Sequence, residues 1–187
     1  VGYMVFGLGI GYRGWRGNAE EVYTGPAGTS LDGTYLNGFY ETEAIQYPEN
    51  AYGLARNNQF MLNVPNAKCI QLWLENETFD VQQGTLENYQ RQLDFRTGIL
   101  TRTLDWTSPQ GRKIHLKSQR LVCFENKHLF AIQYELTSLN FDGKIRLVSA
   151  LDGEVKNIEA GDDPRVGSAM HGPVFEQISA QPDGNFF

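Results

Sequence analysis

Four pairs of acidic residues lie close enough in the sequence to work together in acid–base chemistry. They are Glu20/Glu21, Glu41/Glu43, Asp152/Glu154 and Asp162/Asp163. Two carboxyl groups, one protonated and one ionised, are the usual machinery for cleaving a glycosidic bond. None of the pairs stands in a distinctive pattern, so each is better explained as part of a solvated surface or a turn.

A glycine-rich stretch near the beginning of the chain raises a second possibility, nucleotide binding. Residues 9–14 read Gly-Ile-Gly-Tyr-Arg-Gly and match the pattern G-x-G-x-x-G. A dinucleotide site needs a strand before this pattern and a helix that opens on its third glycine. Residues 15–18 are poor helix formers, and the chain shows no alternation of strands and helices. The stretch therefore indicates an irregular strand where two backbones approach closely.

Three tryptophans, Trp15, Trp73 and Trp106, could stack on the apolar face of a sugar ring. Each of them could equally belong to a hydrophobic core. Trp73 lies on the strand face opposite Ile70 and Leu72, which predicts an exposed or interfacial position.

Four arginines alternate with apolar residues in strand-like segments: Arg91, Arg96, Arg102 and Arg120. A half-buried arginine needs a carboxylate partner, and Asp94 and Asp105 are near in sequence. We expect a structural ion-pair network. The alternative is a site for an anion or for sugar hydroxyl groups at a domain boundary.

The elements that must position these residues are strands. Apolar residues recur at every second position, as in Phe130, Ile132, Tyr134 and Leu136, which is typical of half-buried strands. Turn sequences separate these runs, and no convincing helix is found. We therefore predict an all-β chain with antiparallel sheets packed face to face. The glycine- and aspartate-rich stretch 159–172 is expected to be a mobile loop.

Composition excludes several classes of function. The formal net charge of −6 argues against nucleic-acid binding, which needs clustered Lys and Arg. No apolar run approaches the roughly 20 residues of a membrane helix. The three histidines are scattered, so we expect no metal site. Cys69 and Cys123 lie in apolar runs and are predicted to be reduced and buried.

Five stretches, in one order and with sensible gaps, resemble the N-terminal domain of glycoside hydrolase family 65. They cover residues 6–21 (FGLGIGYRGWRGNAEE), 33–41 (GTYLNGFYE), 62–66 (LNVPN), 89–102 (YQRQLDFRTGILTR) and 151–157 (LDGEVKN). Any one of these motifs is weak evidence, but five in sequence are strong. Ile10 departs from the pattern, because the family usually has Asn at this position.

The resemblance implies an antiparallel β super-sandwich of the galactose mutarotase-like type. It also implies that 1–187 is a single domain, truncated at its C-terminal end, and that the catalytic (α/α)6 barrel is absent. The family contains maltose, trehalose and kojibiose phosphorylases, in which inorganic phosphate attacks an α-glucosyl disaccharide with inversion, and some hydrolases. No metal or organic cofactor is then needed, and the chain alone is expected to be inactive.

No catalytic residue can be carried over from the family, because the matching positions lie in the barrel. Six residues in the matched motifs are candidates for contacts with substrate or with the missing domain: Tyr12, Arg16, Asn37, Tyr40, Arg91 and Asp94. They combine polar tips with glycine-rich neighbours, which suits a surface between domains. The alternative for each is a structural hydrogen bond inside the sandwich.

Two other functions remain open at this point. The aromatic content of 12% on a β-sandwich would suit a free-standing carbohydrate-binding module. A purely structural or dimerisation domain would bind no ligand. We also expect a homodimer, because a sandwich cut at its C-terminal end leaves an exposed strand edge, and a cytoplasmic location.

Overall fold

The computed structural model describes residues 6–23, 25–26, 30, 32–47, 49, 51–157 and 174–176. The stretch 159–172 and the pair Asp162/Asp163 lie outside the described residues. Within them there are eleven strands and no helix. The strands are β1 (Leu8–Gly9), β2 (Arg13–Trp15), β3 (Thr34–Ala44), β4 (Asn57–Asn63), β5 (Asn66–Leu74), β6 (Glu77–Thr78), β7 (Thr85–Asp94), β8 (Ile99–Thr107), β9 (Lys113–Val122), β10 (Phe130–Ser138) and β11 (Ile145–Asp152).

The strands form three antiparallel sheets. Sheet I has the order β1-β2-β3-β4, sheet II the order β10-β9-β8-β7, and sheet III the order β11-β5-β6. Sheet II is a meander of four consecutive strands, whereas β11 returns to pair with β5. The predicted all-β, antiparallel fold is confirmed.

Strict alternation in β8 and β9 positions the core. Along both strands every second residue is buried, so one face of sheet II covers the interior. That face packs on the inner face of β5 in sheet III. This cluster contains Leu72, Leu74, Phe79, Leu104, Trp106, Ile114 and Leu116. A second cluster lies at the other end of sheet II, beneath sheet I, and contains Leu8, Trp15, Leu100 and Val122.

A bulge turns part of sheet I into a protruding arm. Tyr35 pairs with Asn63 and Tyr40 pairs with Met61, so β3 carries three extra residues between these two pairs. Gly38 lies in this bulge with φ of 95°, a conformation that favours glycine. Beyond it, residues 40–44 of β3 and 57–61 of β4 extend as a two-stranded ribbon whose residues are mostly exposed.

The last strand of the described sandwich is poorly covered. Seven of the eight residues of β11 are exposed, including Leu147 and Leu151, the latter at 70%. Leu147 lies opposite Leu72 and therefore shares the inner face of sheet III. A strand that pairs on one edge only and exposes its apolar residues is open to further partners.

Two turn glycines provide a test of the packing between β7 and β8. Gly84 and Gly111 both have positive φ, 75° and 86°. A Cβ at Gly84 would collide with the carbonyl oxygen of Thr107, whereas a Cβ at Gly111 meets open space.

We expect Gly111→Ala to lower the free energy of unfolding by about 1–2 kcal/mol, the cost of the left-handed backbone alone. Gly84→Ala should cost about 4 kcal/mol or more, because backbone cannot move aside cheaply. Urea unfolding followed by tryptophan fluorescence measures both. Equal losses for the two variants would contradict the close approach of Gly84 to β8.

Candidate functional site

A layer of four charged side chains lies between the two hydrophobic clusters. The guanidinium of Arg102 makes two parallel bonds to Glu21, with Nη1–Oε1 and Nη2–Oε2 distances of 2.6 Å and 2.7 Å. It also lies 2.8 Å from Oε2 of Glu20. Nε of Arg120 lies 3.0 Å from Oε1 of Glu20, and the Ser118 hydroxyl donates to the same oxygen. All five residues are buried.

The electrostatics of this layer favour the charged form of Glu20. Burial alone would raise the pKa of Glu20, but Arg102 and Arg120 outweigh it and hold the pKa below its usual value. The pKa of Arg102 is raised, because Glu21 and Glu20 overcome its burial. Burial raises the pKa of Tyr134, which lies near the same charges. The layer is therefore two cations balanced by two anions in a water-poor interior.

Two expectations about these residues are wrong. Glu20/Glu21 is neither a solvated surface pair nor a turn. The partners of Arg102 and Arg120 are these glutamates and not Asp94 or Asp105. The sequence could not show this pairing, because it joins distant parts of the chain. The arginines point to the same inner face of sheet II as Leu100 and Leu104, and the glutamate that pairs with Arg102 lies about 80 residues away. The expected ion-pair network is confirmed for Arg102 and Arg120. Arg91 instead bonds the carbonyl of Gly17, and Arg96 is exposed.

The segment that carries Glu20 and Glu21 runs along the sandwich next to β5 and β7. We call residues 16–23 the strap. The carbonyl oxygen of Glu20 accepts a bond of 3.0 Å from the backbone N–H of Ile70, beside β5. The carbonyl oxygen of Gly17 accepts from the guanidinium of Arg91 on β7. The strap thus touches sheets II and III, while its carboxylates enter the core between them.

A second buried cation lies beside the strap. Lys68 has no exposed surface, and its Nζ lies 2.7 Å from Oδ1 of Asp32 and 2.9 Å from Oδ1 of Asn66. Burial lowers the pKa of Lys68, and Asp32 opposes this shift. A cleft of about 290 Å³ borders this group and includes Asn18 and Asp152 in its walls. Carboxylates and amides of this kind suit water or hydroxyl groups.

Asparagines tie sheet I to the chain after β11. Asn63 accepts a bond of 2.8 Å from the N–H of Thr34 through Oδ1. Its own N–H donates to Oδ1 of Asn157 at 2.8 Å, and its amide donates to the carbonyl of Lys156. Sequence reasoning missed these roles, and those of Asp32 and Lys68. The motifs at 62–66 and 151–157 were the signal, because each contains one of the two asparagines.

Three of the six candidate site residues meet at the base of the arm. The backbone N–H of Asn37 donates to the carbonyl of Tyr12 at 2.7 Å, and the Tyr40 hydroxyl donates to Oδ1 of Asn37. Tyr12 also packs between Lys127, 4.6 Å from its ring centroid, and His128, 5.3 Å away. These contacts join the hairpin of β1 and β2 to the turn between β9 and β10.

The other three candidates lie apart from this group. Arg16 stacks on Tyr35 at 5.6 Å from its ring centroid, and Arg91 stacks on Phe6 at 4.9 Å. Arg16 and Arg91 both lie at the strap. Asp94 instead caps the turn between β7 and β8, where its Oδ1 accepts from the N–H of Arg96 at 2.8 Å.

The remaining acidic pairs and tryptophans divide between surface and core. Glu41 and Glu43 are exposed on the arm, as expected of a solvated surface. Asp152, the last residue of β11, is also exposed, and it accepts a bond from the N–H of Glu154. Trp15 and Trp106 are buried in the two hydrophobic clusters and cannot stack on a sugar. Trp73 is half-buried on the outer face of sheet III, which fits its predicted interfacial position.

Other predicted features can be placed as well. The G-x-G-x-x-G stretch forms the hairpin of β1 and β2 with no helix after it, so the nucleotide interpretation is excluded. Cys69 and Cys123 are free thiols; Cys69 is buried and Cys123 is half-buried. Across the described part of the chain, no group of three or more His, Cys, Asp or Glu could hold a metal ion. No helix in that part could cross a membrane.

Comparison with known proteins decides the family. A model of the N-terminal domain of glycosyl hydrolase family 65 matches residues 4–187. The chain belongs to this family. The resemblance carried by the five motifs is thereby confirmed.

Several of the relatives are disaccharide phosphorylases. The chain is 46% identical over 180 residues to an alpha,alpha-trehalose phosphorylase of Thermoanaerobacter brockii, covering 96% of this chain and 23% of the relative. It is 36% identical to that of Geobacillus stearothermophilus, covering 97% and 24%. A solved structure provisionally described as a kojibiose phosphorylase from the human microbiome matches with a TM-score of 0.72 and 30% identity, over 82% of this chain and 20% of that one. The chain thus spans about a quarter of its curated relatives' length.

The buried charge layer of this family 65 domain can be tested by removing one charge. We expect Arg102→Met to lower the free energy of unfolding by about 3–5 kcal/mol, because it leaves Glu21 buried without a counter-ion. Arg96→Met, at an exposed position, is the control and should change it by no more than about 0.5 kcal/mol. Urea unfolding at neutral pH measures both. A loss for Arg102→Met as small as the control's would show that the layer is solvated.

Proposed function

We propose that this chain is the non-catalytic N-terminal domain of an enzyme that phosphorolyses an α-glucosyl disaccharide. The 46% identity to a trehalose phosphorylase over 96% of the chain carries this proposal. Trehalose is the first substrate to consider, since two relatives at 46% and 36% identity are trehalose phosphorylases. Kojibiose and maltose phosphorylases are more distant, at 28% and 34% over about four-fifths of the chain.

The positions of the described carboxylates favour a non-catalytic role for this domain. Glu20 and Glu21 are buried, and both carboxylates are already engaged in ion pairs with two arginines of the core. Glu41 and Glu43 lie on the exposed arm, and Asp152 is exposed at the end of β11. An inverting enzyme needs a carboxylic acid held at the leaving oxygen in a shaped pocket.

The proposed reaction then takes place in the rest of the enzyme. An oxygen of inorganic phosphate attacks the anomeric carbon as the glycosidic C–O bond breaks. A carboxylic acid gives its proton to the leaving oxygen, which departs as the hydroxyl group of the second sugar. Attack from the opposite face inverts an α-glucoside to β-glucose 1-phosphate. Phosphate is a co-substrate in this scheme, and no metal or organic cofactor takes part.

Two surfaces of the domain suit contacts with that catalytic part, the expected (α/α)6 barrel. The arm exposes Tyr47 and Tyr52, the latter completely, and an isolated two-stranded ribbon is only marginally stable in water. Tyr12, Asn37 and Tyr40 fix the base of this arm, and Arg16 and Arg91 fix the strap. We propose these five residues as positioning residues for the domain boundary. Asp94 caps a turn, which favours the alternative that it makes a structural hydrogen bond inside the domain.

The open edge at β11 suits completion of the sandwich by chain that follows. Leu147 and Leu151 need cover that the described residues do not supply. We therefore retain the proposal that 1–187 is an incomplete sandwich domain. If a strand edge of the sandwich stays open, we propose that a second copy of the chain pairs with it to form a homodimer. We also propose a cytoplasmic location, since the two free thiols are compatible with a reducing compartment.

The direct test uses the full-length protein that contains this chain. It should release β-glucose 1-phosphate from trehalose, maltose or kojibiose only when phosphate is present. Chain 1–187 alone, at the same molar concentration, should show no turnover. Glucose release without phosphate would make the enzyme a hydrolase instead. Absence of turnover under both conditions, or turnover by the chain alone, would contradict the proposal.

A further inference from the structure

A pocket on the outer face of sheet III is not explained by packing. It has a volume of about 400 Å³ and lies between β5, β6, the end of the strap and the turn after β6. Its walls include Glu21, Gln71, Trp73, Thr78, Asp80 and Gln83. This volume is within the roughly 300–1,000 Å³ of small-molecule sites.

Trp73 gives the pocket an aromatic wall. It points away from the core, opposite Leu72 and Leu74, and remains half-buried, whereas Trp15 and Trp106 are fully enclosed. The guanidinium of Arg146, its cross-strand neighbour, lies 4.1 Å from the ring centroid and fixes the indole from one side. A fixed indole at the wall of a pocket can stack on the apolar face of a pyranose ring.

The polar groups around the indole suit a neutral ligand with hydroxyl groups. Gln71 and Thr78 flank Trp73 and make no side-chain hydrogen bond to other described residues. An amide and a hydroxyl group can each donate and accept.

The charged groups of the pocket are already engaged. Glu21 is bound by Arg102, and Asp80 accepts from the backbone N–H of Gln82 and from the amide of Gln83. An ionic ligand would therefore have to break existing pairs, whereas a neutral sugar would not.

We propose that this pocket binds a glucosyl unit of an α-glucan or α-gluco-oligosaccharide, with the ring stacked on Trp73 and hydroxyl groups bonded to Gln71 and Thr78. The choice of α-linked glucose rests on the proposed function, because it is the sugar the whole enzyme would act on. The pocket itself supports a neutral pyranose. It gives the domain a binding role in addition to its positioning role.

The test is affinity electrophoresis of the full-length protein in native gels that contain soluble starch, with hydroxyethyl cellulose as the β-linked comparison. Starch should retard the wild-type protein, also with saturating trehalose present, and the cellulose derivative should not. Trp73→Ala should weaken the apparent affinity at least fivefold, and Gln71→Ala about threefold. Phe95→Ala removes an aromatic ring that is 92% exposed elsewhere and should bind as the wild type does.

Three results would overturn the inference: no retardation of the wild type by starch, equal retardation of wild type and Trp73→Ala, or an equal loss in Phe95→Ala. Gln71 is half-buried and lies outside the hydrophobic clusters, so Gln71→Ala covers the case in which Trp73→Ala does not fold. Phosphorolysis is assayed on the same preparations. If the protein turns over substrate but starch does not retard it, only the proposed sugar pocket is contradicted. If starch retards it in a Trp73-dependent way but there is no turnover, only the proposed enzyme function is contradicted.

Discussion

The rest of this structure depends on the buried pairing of Arg102 and Arg120 with Glu20 and Glu21. Charges in a protein interior are costly unless each one has a partner, so these four residues can be buried only together. Because the arginines belong to sheet II and the glutamates to the strap, their pairing determines where the strap crosses the sandwich. It also divides the core into two hydrophobic clusters, one under sheet I and one under sheet III.

The position of the strap determines the features that carry function. Its Glu21 end forms part of the wall of the Trp73 pocket, and its other end receives Arg91 from β7. At the far side of sheet I, Tyr12 and Asn37 connect the base of the arm to the body of the domain. A domain organised in this way can hold in place the surfaces proposed for a neighbouring domain and for a ligand, which fits the proposed role as a non-catalytic part of a disaccharide phosphorylase.

The local pattern of the sequence predicts the strands well. In β8 and β9 apolar and polar residues alternate, and such a pattern can be read from neighbouring residues alone. It also places Trp73 on the outer face. Pairing across the sandwich could not be predicted in this way. Glu20 follows a glycine-rich stretch and resembles a surface residue until Arg102, more than 80 positions later, is placed beside it. The family motifs marked most of the important stretches, including Asn63 and Asn157, but they did not reveal which side chains meet.

The most direct measurement is an NMR titration of the Glu20 side-chain carboxyl ¹³C shift in the folded protein. Burial and ion pairing act on this group in opposite directions, so its pKa reports which of them dominates. We expect a titration midpoint below the ordinary value of 4.5, because Arg102 and Arg120 stabilise the carboxylate. A midpoint at or above 4.5 would contradict it, because the carboxyl group would then be buried without effective partners.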